Sequence, residues 1–346
     1  MNRKQLARLH TNQRLLVSEL LRRGVEVDVL VEELELLEAC YNGRVEFLLD
    51  RDSTVCPYPG SVICSNKYLT KKLLIRAGLR VPRGEQFYAD QWTDALRYAE
   101  SLAFPVVLKP SIGSHGHCCF PDLYDKGDLE QALDWFTAAY GVEGAFLIEE
   151  QMPGAEFRIF YTRHGDYAVL HRDPAHVVGD GVNCIRELAE RESHQRMHPR
   201  KNCLCPIVVD RAVEKFLARS DLTLESVPAV GQKIYLRRNS NIAQGGVCED
   251  YTDRVHPSVI EIARDALRAV HGLAYVGVDI LSTDITCEQT AEYYSVLELN
   301  SNPGVHMHVR PAIGKSQPVQ KFLADIIFPE TRMPKIKERE CLQQAA

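Results

Sequence analysis

Residues Tyr293 to Gly304 read YYSVLELNSNPG, an apolar strand that carries two polar metal-ligand types on one face. Glu298 and Asn300 are two residues apart, so in an extended chain both side chains leave the same side of the sheet while Leu297 and Leu299 leave the other. A lone buried carboxylate is costly unless a partner or a metal compensates it. Just upstream, Tyr275 to Leu281 (YVGVDIL) sets Asp279 between Val278 and Ile280 and supplies a second acid. Two carboxylates and an amide form a hard-oxygen set that suits Mg²⁺, which binds one or two protein carboxylates and completes its shell with water and phosphate oxygens. The alternative is that Glu298 lies on an edge strand and pairs with an arginine.

On the N-terminal side of this pair, Pro257 to His271 carries the clearest amphipathic stripe, Val259, Ile262, Ala263, Ala266, Leu267 and Val270, between a starting proline and Gly272. It reads as core helix. Beyond the strand, His306 and His308 alternate along GVHMHVR as an extended segment; with no third metal ligand nearby, they are assigned to substrate contact or packing. Lys233 to Leu236 is a strand that leads into Arg237 to Asp253, RRNSNIAQGGVCEDYTD. Two arginines beside an Asn, Gln and Gly-rich loop can neutralise phosphates and then close over them. Ser193 to Pro206 has weak periodicity and reads as a loop. Cys203 and Cys205 with His198 lack a fourth ligand for a metal and belong to that irregular loop.

Further back, FRIFYT and YAVLHR flank a turn at His164-Gly165-Asp166 and put Arg158 and Arg172 on paired strands. Before them, Glu149, Glu150 and Glu156 crowd around Met152 in EEQMPGAE. A purine-binding hinge needs such a set: an acceptor for the exocyclic amine, a backbone amide for the ring nitrogen and an acid for the ribose hydroxyls. A solvated turn is the alternative. The strand PVVLKP ends on Lys109 and runs into Ser111 to Cys119, SIGSHGHCC, whose backbone amides can wrap a phosphate or form a surface hairpin. In SNKYLTKKLLIRAGLRVP, Ser65 or Asn66 caps a helix with the stripe Leu69, Leu73, Leu74 and Ala77, and Gly78 stops it. Lys67 falls in the first turn, where the helix dipole disfavours a cation, which hints at an anion nearby. Helices are expected over Trp92 to Ala103 and Leu129 to Tyr140, and residues 12 to 64 read as a short α/β piece opening with a helix over Gln13 to Arg22.

Of 346 residues, 45% are hydrophobic and 25% charged, an ordinary globular balance with length for two or three subdomains. A net charge of -6 and the lack of a long Lys/Arg run exclude a phosphate-backbone footprint, so no nucleic-acid partner is expected. No segment approaches the roughly 18 apolar residues of a membrane span and no leader is visible, so a cytoplasmic protein with no membrane partner is expected. Eleven cysteines without a repeated spacing fit reduced thiols better than a disulfide framework.

Taken in order, NKxxTK, VVLKP, the glycine loop, IEExMxGxE and Asp followed by ExN resemble the ATP-grasp superfamily. The phrases VVGDG, SVPAxGQ, LRxNxNxxxGG, TDxxHP, GVD and NPGxxMH match, in the same order, the ATP-grasp parts of bifunctional glutathione synthetases and of cyanophycin synthetase. The match runs from Asn12 to Glu330. It implies an α/β ATP-grasp fold of α+β subdomains: a short N-terminal pre-ATP-grasp piece over 1–64, then 65–330 divided into a nucleotide-clasping part with its lid over 65–155 and a catalytic part over 156–330, then a polar tail over 331–346. The implied cofactors are ATP and Mg²⁺, or Mn²⁺ in its place. The implied partners are a small-molecule carboxylate and amine, an amino acid or small peptide, in a homodimer.

Carried onto matching positions, the resemblance gives Lys67 and Lys109 the α- and β-phosphates, and Ser111, Gly113, Ser114, His115 and Gly116 the flexible phosphate loop. Glu149, Glu150 and the Met152 backbone would meet adenine and Glu156 the ribose. Asp279, Glu298 and Asn300 would bind metal, with Arg172 and Arg238 stabilising the transferring phosphoryl group and Asn241 counted with them as catalytic. The implied reaction is an ADP-forming carboxylate–amine ligation through an acyl phosphate; a RimK-like enzyme that extends a protein terminus and a catalytically silent ATP-binding regulator are the rivals. The chain departs from its relatives at Cys118, where they carry glycine, and at Ala243-Gln244-Gly245-Gly246, where they carry Ser/Thr-Thr-Gly-Gly. It lacks the glutamate–cysteine ligase and Mur-ligase-like parts of those enzymes, so a stand-alone ligase is expected.

Overall fold

The computed structural model describes residues 2–50, 52–113, 118–197 and 203–332. The chain forms two compact units, one from its two ends, Met1–Val55 with Gln320–Ala346, and one from Cys56–Val319. In the first, helices α1 (Arg3–Arg8) and α2 (Thr11–Arg22) precede an antiparallel sheet of β1 (Glu26–Val31), β2 (Leu36–Tyr41), β3 (Arg44–Leu49) and β4 (Asp52–Ser53), ordered β1-β2-β3-β4. The helix expected over Gln13 to Arg22 buries Leu16 and Leu20 and leaves Leu15 half-buried. Arg23, just past α2, donates to Asp325 at 2.6 Å and to Glu19 at 2.8 Å, which ties the helix Val319–Ile327 to this unit.

The second unit opens with α3 (Tyr58–Ser65) and α4 (Lys67–Arg76). Asn66 caps α4 by accepting from the amides of Tyr68 and Leu69, and Gly78 adopts a φ of 79° just past its end. A four-stranded sheet ordered β5-β8-β6-β7 follows, from β5 (Gly84–Tyr88), β6 (Val106–Pro110), β7 (Phe120–Leu123) and β8 (Ala145–Glu150). Helices α5 (Trp92–Leu102) and α6 (Lys126–Tyr140) cover one face, packing Ala99, Leu102, Leu129 and Phe136 on Val106, Leu108, Phe146 and Ile148. Both helices fall where the 3.6-residue periodicity puts them, because that periodicity is the stripe the sheet buries.

The rest of the unit runs β9 (Ala155–Thr162), β10 (Tyr167–Asp173), β11 (His176–Val178), α7 (Ile185–Met197), α8 (Arg211–Ala218), β12 (Lys233–Tyr235), β13 (Val247–Asp250), α9 (Pro257–Ala269), β14 (Tyr275–Ser282), β15 (Tyr294–Asn300) and α10 (His306–Val309). Five of these strands make an antiparallel sheet ordered β13-β10-β9-β14-β15. Helix α9 lays Val259, Ile262, Ala263, Ala266 and Leu267 against Ile159, Val276, Val278 and Ile280. β9 and β14 are central strands with almost every residue buried, so any charged side chain on them must find its partner inside the protein.

Two sequence expectations are corrected here. Helix α7 continues to Met197, held by an Arg196–Glu192 pair at 2.9 Å, so residues 193–197 are helical rather than loop; His198 and the residues to 202 lie outside the described residues, as does the tail from 333. His306 and His308 sit on the helical turn α10, not on an extended segment, and His308 is fully buried edge-on to Phe160.

Gly154, between β8 and β9, combines a φ of 117° with an approach in which an added Cβ would stand 2.7 Å from the backbone of Ser282. Gly154→Ala is therefore expected to cost about 1–3 kcal/mol of unfolding free energy in a denaturant titration. Unchanged stability would mean this turn relaxes freely.

Candidate active site

The register of β14 on β15 sets Asp279 opposite Glu298 and Gly277 opposite Asn300, with a bulge beside Asp279 that spares the alternation of Glu298 and Asn300. Leu299 points into the core as expected, while the Glu298 and Asn300 side chains share the other face, with Asn300 Nδ2 3.5 Å from Glu298 Oε1. On its other side β14 pairs with β9, where Asp279 faces Arg158. Arg158 grips the carboxylate with both arms of its guanidinium: Nη2 donates to Asp279 Oδ2 at 2.7 Å and Nε donates to Oδ1. Arg172, on β10, reaches the same Oδ2 at 3.2 Å and Glu156 Oε1 at 3.0 Å.

Burial alone would raise the Asp279 carboxyl, but the guanidiniums of Arg158 and Arg172 outweigh it and hold the group below the usual carboxylate range. Glu156 goes the other way: burial pushes it up against the pull of Arg172, and the charge of Asp279 adds to the rise. Lys67 Nζ lies 3.4 Å from Glu298 Oε2 and donates to the Gly113 carbonyl at 2.7 Å. The anion inferred from the dipole argument near Lys67 is thus, in part, the protein's own carboxylate.

A second charged group is buried in the four-stranded sheet. Glu149, on β8, is met by Lys109 from β6 at 2.7 Å on Oε2 and by Lys71 from α4 on Oε1; Lys71 also donates to the Pro82 carbonyl at 2.8 Å. All three side chains are almost wholly buried. Lys67 and Lys71 are four residues apart, on one face of α4, so a single helix delivers a cation to each cluster. Lys71 and Arg158 were visible in the sequence, the first inside NKxxTK and the second in the alternation of FRIF, but neither carries a local sign of its partner.

Several expected contacts are differently spent. Glu149 is enclosed between two lysines, and both oxygens of Glu150 are taken: Oε1 accepts from Arg80 Nη2 and from the Arg83 amide, Oε2 from Arg83 Nε, each at 2.7 Å. Both carboxylates are thus held by the protein's own cations, and Met152 beside them is half-buried. Ser111 is buried and donates its hydroxyl to Gln86 at 2.9 Å; Ser114, His115 and Gly116 lie outside the described residues. Asn241 uses its side-chain oxygen to cap the turn Ile242–Gln244. Arg238, expected beside the transferring phosphoryl group, pairs with Asp122 of β7 at 3.1 Å. Asp122 had no signal in the sequence. Cys203 meets Cys248 of β13, sulfur to sulfur at 2.7 Å, and among the described residues no three His, Cys, Asp or Glu side chains converge as a metal cage.

The chain matches no family model. It is 30% identical over 325 residues to the glutathione biosynthesis bifunctional protein GshAB of Clostridium perfringens, covering 92% of this chain and 41% of that protein. It is 33% identical over 280 residues to the cyanophycin synthetase of Geminocystis herdmanii, covering 80% and 32%. A crystal structure of a bifunctional glutathione synthetase from Pasteurella multocida superposes with a TM-score of 0.66 at 28% identity, over 93% of this chain and 44% of that one. Two antiparallel sheets, each burying a lysine- or arginine-bound carboxylate, are those of an ATP-grasp fold. Within that class the chain is a homologue of bifunctional glutathione synthetase and of cyanophycin synthetase, and it spans less than half the length of either relative.

Because the folded Asp279 carboxyl is depressed, its stabilising effect is complete above the unfolded-state value of about 3.9 and fades as pH falls through the folded value. Asp279→Asn should lose about 3–5 kcal/mol at pH 7, since it leaves Arg158 buried without its counter-charge, and its stability should fall less steeply than wild type between pH 5 and pH 3. Urea titrations at those pH values check both; parallel slopes would show that Asp279 titrates as an ordinary acid.

Proposed function

We propose that the chain is an ATP-dependent, ADP-forming carboxylate–amine ligase that works on an amino acid or small peptide through an acyl phosphate. The observation that carries the reading is the meeting of Asp279, Glu298 and Asn300 on adjacent strands, ringed by Lys67, Arg158 and Arg172. The relatives' names, a glutathione biosynthesis protein and a cyanophycin synthetase, support the same class.

What supports a divalent cation is the donor chemistry. Two carboxylates and an amide fit Mg²⁺, or Mn²⁺ in its place, and leave positions for phosphate oxygens. Asp279, Glu298 and Asn300 would hold it. When bound, it would neutralise charge between the phosphates of ATP. The remaining work falls to the chain's own cations, because phosphoryl transfer needs positioning and charge neutralisation more than a protein nucleophile. Lys67 and Lys109 bind the phosphate chain. Arg172, poised between Glu156 and Asp279, meets the oxygens of the phosphoryl group as it moves to the substrate carboxylate. ADP leaves, the amine attacks the acyl carbon, and phosphate is released as the amide forms.

The test is to incubate the protein with ATP, Mg²⁺ and, one at a time, amino acids and dipeptides as carboxylates, with hydroxylamine in large excess as the acceptor amine. A hydroxamate should form in equal amount with ADP; AMP and pyrophosphate would mean adenylation and overturn the mechanism. On the productive carboxylate, Glu298→Gln should fold normally and lose on the order of 10²-fold in turnover. Wild-type turnover in that variant would remove Glu298 from the metal set.

A further inference from the structure

The charges around Lys109 do not balance unless Lys71 is counted. A carboxylate 2.7 Å from an ammonium cancels most of its field, so a Lys109–Glu149 pair alone would offer little attraction to a phosphate. Lys71 removes that cancellation. It binds the other oxygen of Glu149 and is pinned by the Pro82 carbonyl at 2.8 Å, so the buried trio carries one net positive charge. Gly84 packs close against the pair from β5, where an added Cβ would lie 2.8 Å from Lys71 Nζ and 2.6 Å from Glu149 Cγ, so Lys71 is held onto Glu149 while Lys109 takes the other oxygen.

We propose that Lys71 is a positioning residue for the nucleotide: without touching it, Lys71 neutralises and orients Glu149, so that the charge of Lys109 is left free for a phosphate. This rests on the ATP-dependent reading of the site. Lys71 is favourable only in company. Burial and the charge of Lys109 hold its ammonium below the usual lysine range while Glu149 opposes them, so an isolated lysine at this place would tend to lose its proton. A brace that served packing alone would have no use for a second buried cation so close to the first.

The experiment is a calorimetric titration of the full chain with a non-hydrolysable ATP analogue and Mg²⁺. Lys71→Met should weaken binding about tenfold or more, because Glu149 then cancels Lys109. The double variant Lys71→Met/Glu149→Gln should recover most of that loss, since removing the carboxylate with its partner restores one uncompensated charge. Lys71→Arg should bind like wild type. If the double variant binds no better than Lys71→Met, the trio is a structural brace and the proposal fails. Should Lys71→Met not fold by circular dichroism, Glu149→Gln alone decides: it should bind the analogue at least as tightly as wild type, and weaker binding overturns the proposal. A wild-type chain that binds no ATP analogue would instead defeat the ligase reading, which keeps the two failures apart.

Discussion

A charged side chain on a central strand has no path to water, and this constraint organises the second unit. Asp279 and Arg158 sit on β14 and β9, the two most buried strands of the five-stranded sheet, and each is tolerable there only because the other is directly opposite. Ionising either group alone inside the sheet would cost several kcal/mol, so the register between the two strands is fixed by charge as well as by apolar alternation. A slip of one residue would place Asp279 opposite an apolar neighbour of Arg158.

The same logic links the two sheets. Helix α4 is short, but its first turn faces Glu298 through Lys67 and its second faces Glu149 through Lys71. A helix repeats every 3.6 residues, so one face can serve both clusters with residues four apart. The Asn66 cap fixes where that face begins, which makes an uncharged capping residue part of the electrostatic arrangement. Outside these clusters the acids are bound by arginines nearer the surface, as at Glu150 with Arg80 and Arg83, and these pairs contribute less because water screens them.

Seen this way, the site is a set of carboxylates already occupied by the protein's own cations. Lys67 holds Glu298, and Arg172 holds Asp279 and Glu156; in the proposed ligase reaction these are the cations that would meet the phosphates. Cations held at such distances can turn to phosphate oxygens without being drawn in from solvent, and this kind of preorganisation is what charge-stabilising catalysis needs.

Much of this was legible from the chain alone wherever the determinant is local. The spacing of Glu298 and Asn300, the isolated Asp279 in an apolar run, the stripe of α9 and a helix start at Ser65 or Asn66 depend only on local pattern, which residues two to four apart determine. The destinations of Glu149, Glu150, Ser111 and Arg238 were not legible, because their partners, Lys71, Arg83, Gln86 and Asp122, are chosen by strand pairing and helix packing, for Arg238 across more than a hundred residues. A charge in a sequence announces that it needs a partner, and only the tertiary structure decides which one, because the Coulomb and desolvation energies that settle the choice depend on distance and burial in space and not on position along the chain.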